Sequence, residues 1–345
     1  MANTLTGLIQ YIYDTVDVVS QEPTGMIGAV STSNKAEQAA LNQDISYDIT
    51  AVAAVRDITP AATPPALDSA TVAAGTMKLT KSRRVPFHWP GDDEAKVGAE
   101  AKTGITNNKF AQAFRALRNE IETDLAALQL YASRAYAAHA TTPAALFASN
   151  LGEAAQVAKI LTDNGAPLAD RSLVLNTTGG AALRTLVGFG SVQAGSMLDS
   201  GVLVDLYGMK MRESAKVVTT TAVGNNTGGY VANGAHAAGA TTITLKTGTG
   251  TILAGDVITI GTDTATKYVV LTGLAAAGDI TINAPGLVKG ITDGAAVAVV
   301  GTCSRSMAFS RDAIHLLSRL PMQPTGGDAA VDEMIVTDQI GRAHV

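Results

Sequence analysis

Apolar positions recur at helical spacing in two stretches of the chain. One begins after polar Thr4 and ends before Pro23; the other is NNKFAQAFRALRNEIETDLAALQLYASRAYAAH. Residues three or four apart share one face of a helix. We therefore predict a short amphipathic helix on an N-terminal arm and a helix from Asn108 to about His139, which would span about 45 Å. The two stripes are Leu5, Leu8, Ile9, Ile12, Val16 and Val19, and Phe110, Phe114, Leu117, Ile121, Leu125, Leu128 and Ala135.

On the exposed face of the long helix, Glu122 is spaced to pair with Arg115 or Arg118. Such pairs contribute only a few tenths of a kcal/mol.

The pattern changes to α/β from Leu151 onward. It predicts a helix through Val157, Ile160 and Leu161 ended by Gly165, a buried strand SLVLN and a helix around 183–187. A strand pair is predicted in GVLVDLYGMKMRES, and the same region resumes at SMAFSRDAIHLLSRLP.

Residues 219–303 interrupt this region with short apolar strands separated by glycine and aspartate turns. The strands are TTITLK, DVITIG, KYVVLTGL, DITINA and AAVAVVG. This spacing is typical of a small sandwich or barrel. We predict an inserted all-β domain whose entry and exit are neighbours in the host.

Residues 21–90 show no helical periodicity. Alternating apolar positions in TVAAGTMKLTKSRRVPFHW predict a two-stranded hairpin that ends a long extended loop. Isolated hairpins are marginally stable in water. This one, with Lys78, Lys81, Arg83 and Arg84 near one end, is therefore expected to rest on a neighbouring molecule.

Composition and charge exclude several classes of protein. The chain has 345 residues, 4% aromatic, with a net charge of -5, which argues against a free-standing nucleic-acid binder. A single cysteine, Cys303, cannot form an internal disulfide and fits a reducing compartment. No stretch has the length and apolarity of a membrane span, so a soluble, unexported chain is expected.

Candidate chemistry is sparse. GFGSVQAG has a misplaced third glycine for a dinucleotide loop, and TGTGTILAG lacks the lysine of a phosphate loop. The acidic GDDE turn, Asp92 to Glu94, is best interpreted as a solvated turn. Arg305 lies two positions after Cys303 and is expected to lower the pKa of its thiol. The scattered histidines are His88, His139, His236, His315 and His344. The sequence predicts no catalytic site, cofactor or metal.

The order of these segments resembles that of tailed-phage major capsid proteins of the Hong Kong 97 fold, in particular the short-tailed Salmonella phage coat protein group, which carries an inserted domain. The resemblance runs through LTGLIQYIYDTVDVVSQEPTGMI, DITPAATPPALDSATVAAGTMKLTKSRRVPFHW and the long helix. It continues through PLADRSLVLNTTGGAALRTLVGFGSVQ, LYGMKMRES and AFSRDAIHLLSRLPMQPTGGDAAVDEMIVTD.

The resemblance implies an α+β fold with a defined domain order. This is an N-terminal arm (1–30), an extended loop with a hairpin (31–97), a spine helix and peripheral domain (98–145), an axial α/β domain (146–218), an inserted β-barrel-like domain (219–303) and a return segment (304–339). Residues 340–345 are expected to be a non-native tail, because they look like one reading frame of a common sequencing adapter. Family chains generally continue at this point with further strands.

The resemblance also implies a function. It is self-assembly, through hexamers and pentamers, into an icosahedral virion shell that encloses double-stranded DNA without specific binding. Scaffolding and portal proteins would be partners, in the bacterial cytoplasm, with no membrane and no cofactor. The expected contacts between copies use arm residues Leu5, Ile9, Ile12 and Val16, and place Lys78, Lys81, Arg83 and Arg84 against Asp92, Asp93 or Glu94 of a neighbour.

Two alternatives remain open on the sequence. One is another virion component, such as a tail or decoration protein, in which Thr/Gly-rich β modules are common. The other is a cytosolic α/β enzyme, which would need converging polar groups in a pocket between Leu173 and Arg212.

Overall fold

The computed structural model describes a defined subset of the 345 residues. It describes residues 25–33, 40–50, 72–86, 99–136, 146–147, 150–187, 203, 205–218, 223–225, 229–301, 303–319, 336–337 and 343–344. The predicted arm helix lies outside these residues. The chain divides into two compact units, one of residues 1–20, 31–113 and 315–345, the other of residues 21–30 and 114–314.

The first unit contains three pairs of strands. Strand β1 (Ser31–Ser33) pairs in parallel with β14 (His315–Leu317). Strands β2 (Asp44–Thr50) and β3 (Val72–Lys78) form an antiparallel ribbon. The short strands β15 (Val336–Thr337) and β16 (Ala343–His344) also pair.

The long helix α1 spans Ala99–Ala127, 29 residues, or roughly 43 Å. The predicted helix is confirmed, but it begins earlier than Asn108 and ends before His139. A 3-10 turn follows at Leu128–Tyr131. The backbone then leaves helical geometry because β4 (Arg134–Ala135) pairs with a strand of the β region.

The second unit has a three-stranded sheet whose central strand is β5 (Arg171–Leu175), buried along its whole length. Strand β6 (Met209–Glu213) is parallel to it, and β13 (Met307–Ser310) is antiparallel on the other side. Helices α2 (Gly152–Asp163) and α3 (Thr177–Val187) pack against this sheet. Their shared core comprises Leu146, Phe147, Ala154, Leu173, Leu175, Leu183, Leu203, Met209 and Met211.

The predicted strand pair in residues 201–214 is wrong in part. Among the described residues of this segment, 203 and 205–214, there is one strand, β6, whose partner is β5, and an isolated bridge joins Leu206 and Met209. A parallel pair needs a crossover connection, which the chain supplies between β5 and β6. The predicted helix stop is observed, since Gly165 has φ +75°, a conformation glycine adopts without strain.

Six strands form a barrel within the second unit. They are β7 (Val231–Ala232), β8 (Thr242–Lys246), β9 (Val257–Ile260), β10 (Asp263–Thr272), β11 (Gly278–Ile282) and β12 (Val297–Val299). Their order is β12-β9-β10-β11-β8-β7, with β4 added to β10. A bridge between Val231 and Ala296 brings the end strands together. All five predicted strands are therefore present.

The barrel has its own core and closely spaced connections to the rest of its unit. Tyr230, Ile243, Ile258, Val270 and Ile280 are fully buried. On the two connecting segments, the Arg305 N–H donates to the Val218 carbonyl oxygen at 3.2 Å. Entry and exit are therefore adjacent, which is the geometry an insertion requires.

Candidate assembly surfaces

The β2–β3 ribbon is fully paired but poorly covered. Seven residue pairs run in register from Asp44–Lys78 to Thr50–Val72, and these strands form a sheet of only two strands. At the base, buried Leu79 packs against Ile45 and Leu317. Beyond the base, Ser46, Tyr47, Ala74 and Thr76 are exposed. The ribbon therefore carries more surface than the described part of its own unit covers.

This pairing corrects the predicted hairpin. Val72–Lys78 is a strand as expected, but its partner is Asp44–Thr50 and not the segment after Leu79. Residues 79–86 form no strand. DISYDIT alternates apolar and polar positions as a strand should, whereas LTKSRRVP concentrates charge in the place where the second strand was expected.

The predicted basic cluster continues from the base of the ribbon. Lys78 forms an ion pair with Asp44 at 3.2 Å, with about half of each side chain exposed. Lys81, Arg83 and Arg84 lie on the irregular segment 80–86, in which every residue is exposed. Four cations are thus displayed together at one place on the chain.

The other predicted contact residues lie outside the described residues. They are Leu5, Ile9, Ile12, Val16, Asp92, Asp93 and Glu94.

The apolar stripe of α1 is only partly covered. In its described part, Leu125 is buried, whereas Phe110, Phe114, Leu117 and Ile121 are half-buried. The stripe therefore retains apolar surface that a further molecule could cover.

Glu122 anchors the N-terminal segment, a role that the sequence did not indicate. Its side chain is 5% exposed and accepts the N–H groups of Met26 and Ile27 at 3.0 and 2.8 Å. The Ser214 hydroxyl donates to the same carboxylate at 2.8 Å. The expectation of an exposed Glu122 is wrong. Three satisfied donors make a buried carboxylate tolerable.

Residue 25 fits this junction only as glycine. A Cβ there would lie 2.4 Å from Ser214 Cβ and 2.6 Å from the Glu213 carbonyl oxygen. The close approach fixes the backbone of residue 25 against the end of β6.

The described residues offer little for catalysis. Among them, no group of three or more His, Cys, Asp and Glu is arranged to hold a metal ion. His315 is exposed on β14. Within that same part of the chain, no helix is long and apolar enough to cross a membrane.

Cys303 contradicts the expectation of a lowered pKa. The thiol is buried, and burial raises its pKa more than the charge of Arg305 lowers it. A reactive thiolate is therefore disfavoured at this position.

The segment in which an enzyme pocket was expected, between Leu173 and Arg212, is described only in part, because residues 188–202 and 204 lie outside the described residues. Val174 lies directly opposite Arg212 in the β5–β6 ladder. A surface cavity of about 590 Å³ lies where the end strands of the barrel, β7 and β12, come together. Its described lining carries no carboxylate, imidazole, thiol or amine, and comprises Val223, Gly224, Asn225, Gly229, Tyr230, Val231, Ala296, Val297, Ala298, Val299 and Gly301.

The chain matches no family model and no curated protein. Among solved structures it is similar to one described as Mycobacterium phage Che8, with 13% identity, a TM-score of 0.43, and coverage of 84% of this chain and 92% of that chain. It is also similar to the capsid structure of the cyanophage P-SCSP1u, with 12% identity, a TM-score of 0.43, and coverage of 86% and 89%. The asymmetric unit of the bacteriophage PhiM1 mature capsid is a third, with 16% identity, a TM-score of 0.34, and coverage of 85% and 87%.

Proposed function

We propose that this chain is the major capsid protein of a tailed double-stranded DNA bacteriophage. Copies assemble through hexamers and pentamers into an icosahedral shell that encloses the genome. The arrangement is of the Hong Kong 97 type, with an arm at 1–30, an extended loop at 31–97, a spine helix at 98–145, an axial domain at 146–218 resumed at 304–339, and the barrel at 219–303 as the inserted domain.

The exposed β2–β3 ribbon is the observation that carries the proposal. A two-stranded ribbon is at best marginally stable when water surrounds it. In the part of this ribbon whose burial is described, Leu79 and Leu317 cover the base, whereas Ser46, Tyr47, Ala74 and Thr76 are exposed. A surface from another molecule would stabilise it. In a shell built from one protein, the nearest such surface belongs to a second copy of the chain.

Charge supports the same partner. The ribbon base and segment 80–86 display Lys78, Lys81, Arg83 and Arg84, and without these four the chain has 21 Lys and Arg against 30 Asp and Glu. The rest of a second copy is therefore acidic. Carboxylates such as Asp92, Asp93 and Glu94 supply the opposite charge, and partly exposed pairs of this kind direct register more than they add affinity.

The acidic balance also suits an enclosed genome. A wall of net negative charge holds DNA without tight binding, because DNA affinity comes mainly from Lys and Arg at phosphates. Scaffolding and portal proteins would direct assembly in the host cytoplasm, and the finished protein would reside in the virion. The proposal assigns the chain no reaction.

Electron microscopy and sedimentation velocity of the full chain at rising concentrations test the proposal. We expect closed shells of uniform diameter above a threshold concentration. A protein that sediments as a monomer at its solubility limit would contradict the proposal.

A charge reversal sharpens the test. R84E should raise the threshold concentration and weaken its dependence on salt, because screening acts on the pairs that Arg84 makes. K289E is the control, since it changes the net charge by the same amount at an exposed lysine of the barrel, whose ion pair with Asp263 is long, at 3.7 Å. Equal effects of the two substitutions would assign the change to net charge and not to the basic segment.

A further inference from the structure

One end of the β13-β5-β6 sheet displays two large apolar side chains to solvent. Leu168 is 76% exposed and Tyr207 is 55% exposed. Leu168 lies just before β5, and Tyr207 just before β6. Arg171 is opposite Met209 in the parallel ladder and opposite Ser310 in the antiparallel one. The segments before β5 and β6 and after β13 therefore meet at the same end, which we call the sheet tip (Leu168, Asp170, Tyr207, Lys210, Arg311 and Asp312).

Hydrogen bonds and an ion pair hold the sheet tip together. The Arg311 N–H donates to the Asp170 carbonyl oxygen at 3.0 Å. Lys210 Nζ lies 3.5 Å from Asp170 Oδ1. The tip is thus a connected surface formed by three chain segments.

The backbone at Tyr207 is unfavourable for its side chain. Leu206 and Met209 exchange two backbone hydrogen bonds, of 3.1 and 2.9 Å, around a two-residue turn. Tyr207 has φ +51° and Gly208 has φ +74°. Turns with positive φ at both central positions favour Asn-Gly or Asp-Gly, and a bulky residue with positive φ is uncommon. A tyrosine here carries a conformational cost with no burial of its ring to offset it.

We propose that the sheet tip is a contact surface between copies of this chain, with Tyr207 as its apolar anchor and Leu168 as a second apolar residue at the same end of the sheet. This inference rests on the proposed function, since it names a surface through which shell subunits meet. Exposed aromatic residues that become buried in an interface often dominate its binding energy.

Charge on the tip favours a second copy as the occupant. Asp170 and Asp312 carry negative charge, Lys210 and Arg311 carry positive charge, and all four are exposed. The tip is therefore neutral on a chain of net charge -5. Two tips can approach without net repulsion, and each offers both signs to the other.

Three substitutions test the inference in the full chain. Y207N removes the ring while placing a residue that the turn prefers, so the subunit should keep its thermal stability. L168S removes the second apolar side chain. Y131S is the matched control, because Tyr131 is 56% exposed but lies in the turn after α1, and its carbonyl contact with Asn283 does not involve the side chain.

The readout is the threshold concentration for assembly, measured by light scattering, with melting temperature measured below it. We expect Y207N to raise the threshold about tenfold or more, which is the scale of one interface anchor. L168S should raise it less, and Y131S should leave it unchanged. If the wild type forms shells and Y207N forms them at the same threshold concentration, this inference alone is overturned. Equal effects of Y207N and Y131S on the threshold would overturn it as well. A wild-type chain that never assembles would overturn the proposed function as well.

Discussion

The barrel core leaves no room for a side chain at Gly248, which gives a sharp prediction for G248A. A Cβ at this position would lie 2.0 Å from Tyr230 Cδ1 and 2.2 Å from its Cγ. Gly248 is not among the residues with positive φ, so alanine is compatible with the backbone and only space is at issue. Tyr230 cannot easily give way, because it is 0% exposed and its hydroxyl donates to the Gly250 carbonyl oxygen at 2.8 Å.

The change in the free energy of unfolding follows from two destabilising effects and one stabilising effect. Overpacking a core costs about 1–3 kcal/mol. Losing the Tyr230 hydrogen bond would add about 1 kcal/mol. Alanine also restricts the unfolded chain, which stabilises the fold by about 0.4–1 kcal/mol. The net expectation for G248A is a loss of about 2 kcal/mol in the free energy of unfolding.

Urea unfolding followed by far-UV circular dichroism, below the assembly threshold, measures this loss. G278A is the control, because the nearest atom to a Cβ at Gly278 is 3.8 Å away. Its free energy of unfolding should stay the same or rise by up to about 1 kcal/mol, because alanine restricts the unfolded chain and meets no clash at this position. If G248A were as stable as G278A, the packing of Tyr230 against residue 248 would be refuted.

Further predictions concern single polar groups. E122Q should lower the free energy of unfolding by about 1.5–3 kcal/mol, because an amide cannot accept all three donors of the Glu122 carboxylate. D279N is the control, because Asp279 is exposed on β11, and equal losses would contradict the anchor. The Cys303 thiol should react with a disulfide reagent at pH 8 about tenfold or more slowly in the folded chain than in urea, since burial raises its pKa; equal rates would show that it is accessible. The pKa of Asp293 is lowered by hydrogen bonds from Lys246 and a backbone N–H, so its stabilising effect is present above the usual pKa near 3.8 and is lost as pH falls through the lowered value. D293N should therefore show a flatter decline of melting temperature below pH 4 than the wild type, and parallel curves would contradict this assignment.

The barrel was predictable because its signals are local. Strands such as DVITIG and DITINA combine β-branched residues with glycine and aspartate turns a few positions away. The turn positions bear this out, since Gly255, Gly261 and Gly294 all have positive φ. The end of α1 was less predictable, because pairing of Arg134 with Tyr268 overrides the helical periodicity that continues past Ala127.

At the candidate surfaces, the sequence did not predict contacts between residues that are far apart along the chain. The segment 79–86 directly follows strand β3 and was expected to be its partner, yet β3 pairs with β2, which lies beyond a connection of about 20 residues. Loop closure grows costlier only slowly with length, so the better strand partner wins over the nearer one. Glu122 shows the same effect, since its donors Met26 and Ser214 are 96 and 92 positions away and helical periodicity places it among exposed charges.

The sheet tip could be recognised only from the fold, although its turn is visible in the sequence. Tyr-Gly between two short apolar runs can be found in the sequence, but it does not reveal a positive φ at Tyr207 or that Leu168 lies at the same end of the sheet. The positive φ belongs to the local turn between Leu206 and Met209. The shared position depends on the parallel register of β5 and β6, which brings together turns that are about 40 residues apart. The exposed tyrosine sits on a turn whose backbone disfavours it, so its ring gains stability there only when a partner covers it. A repeated copy of the chain supplies such a partner wherever the shell brings two tips together.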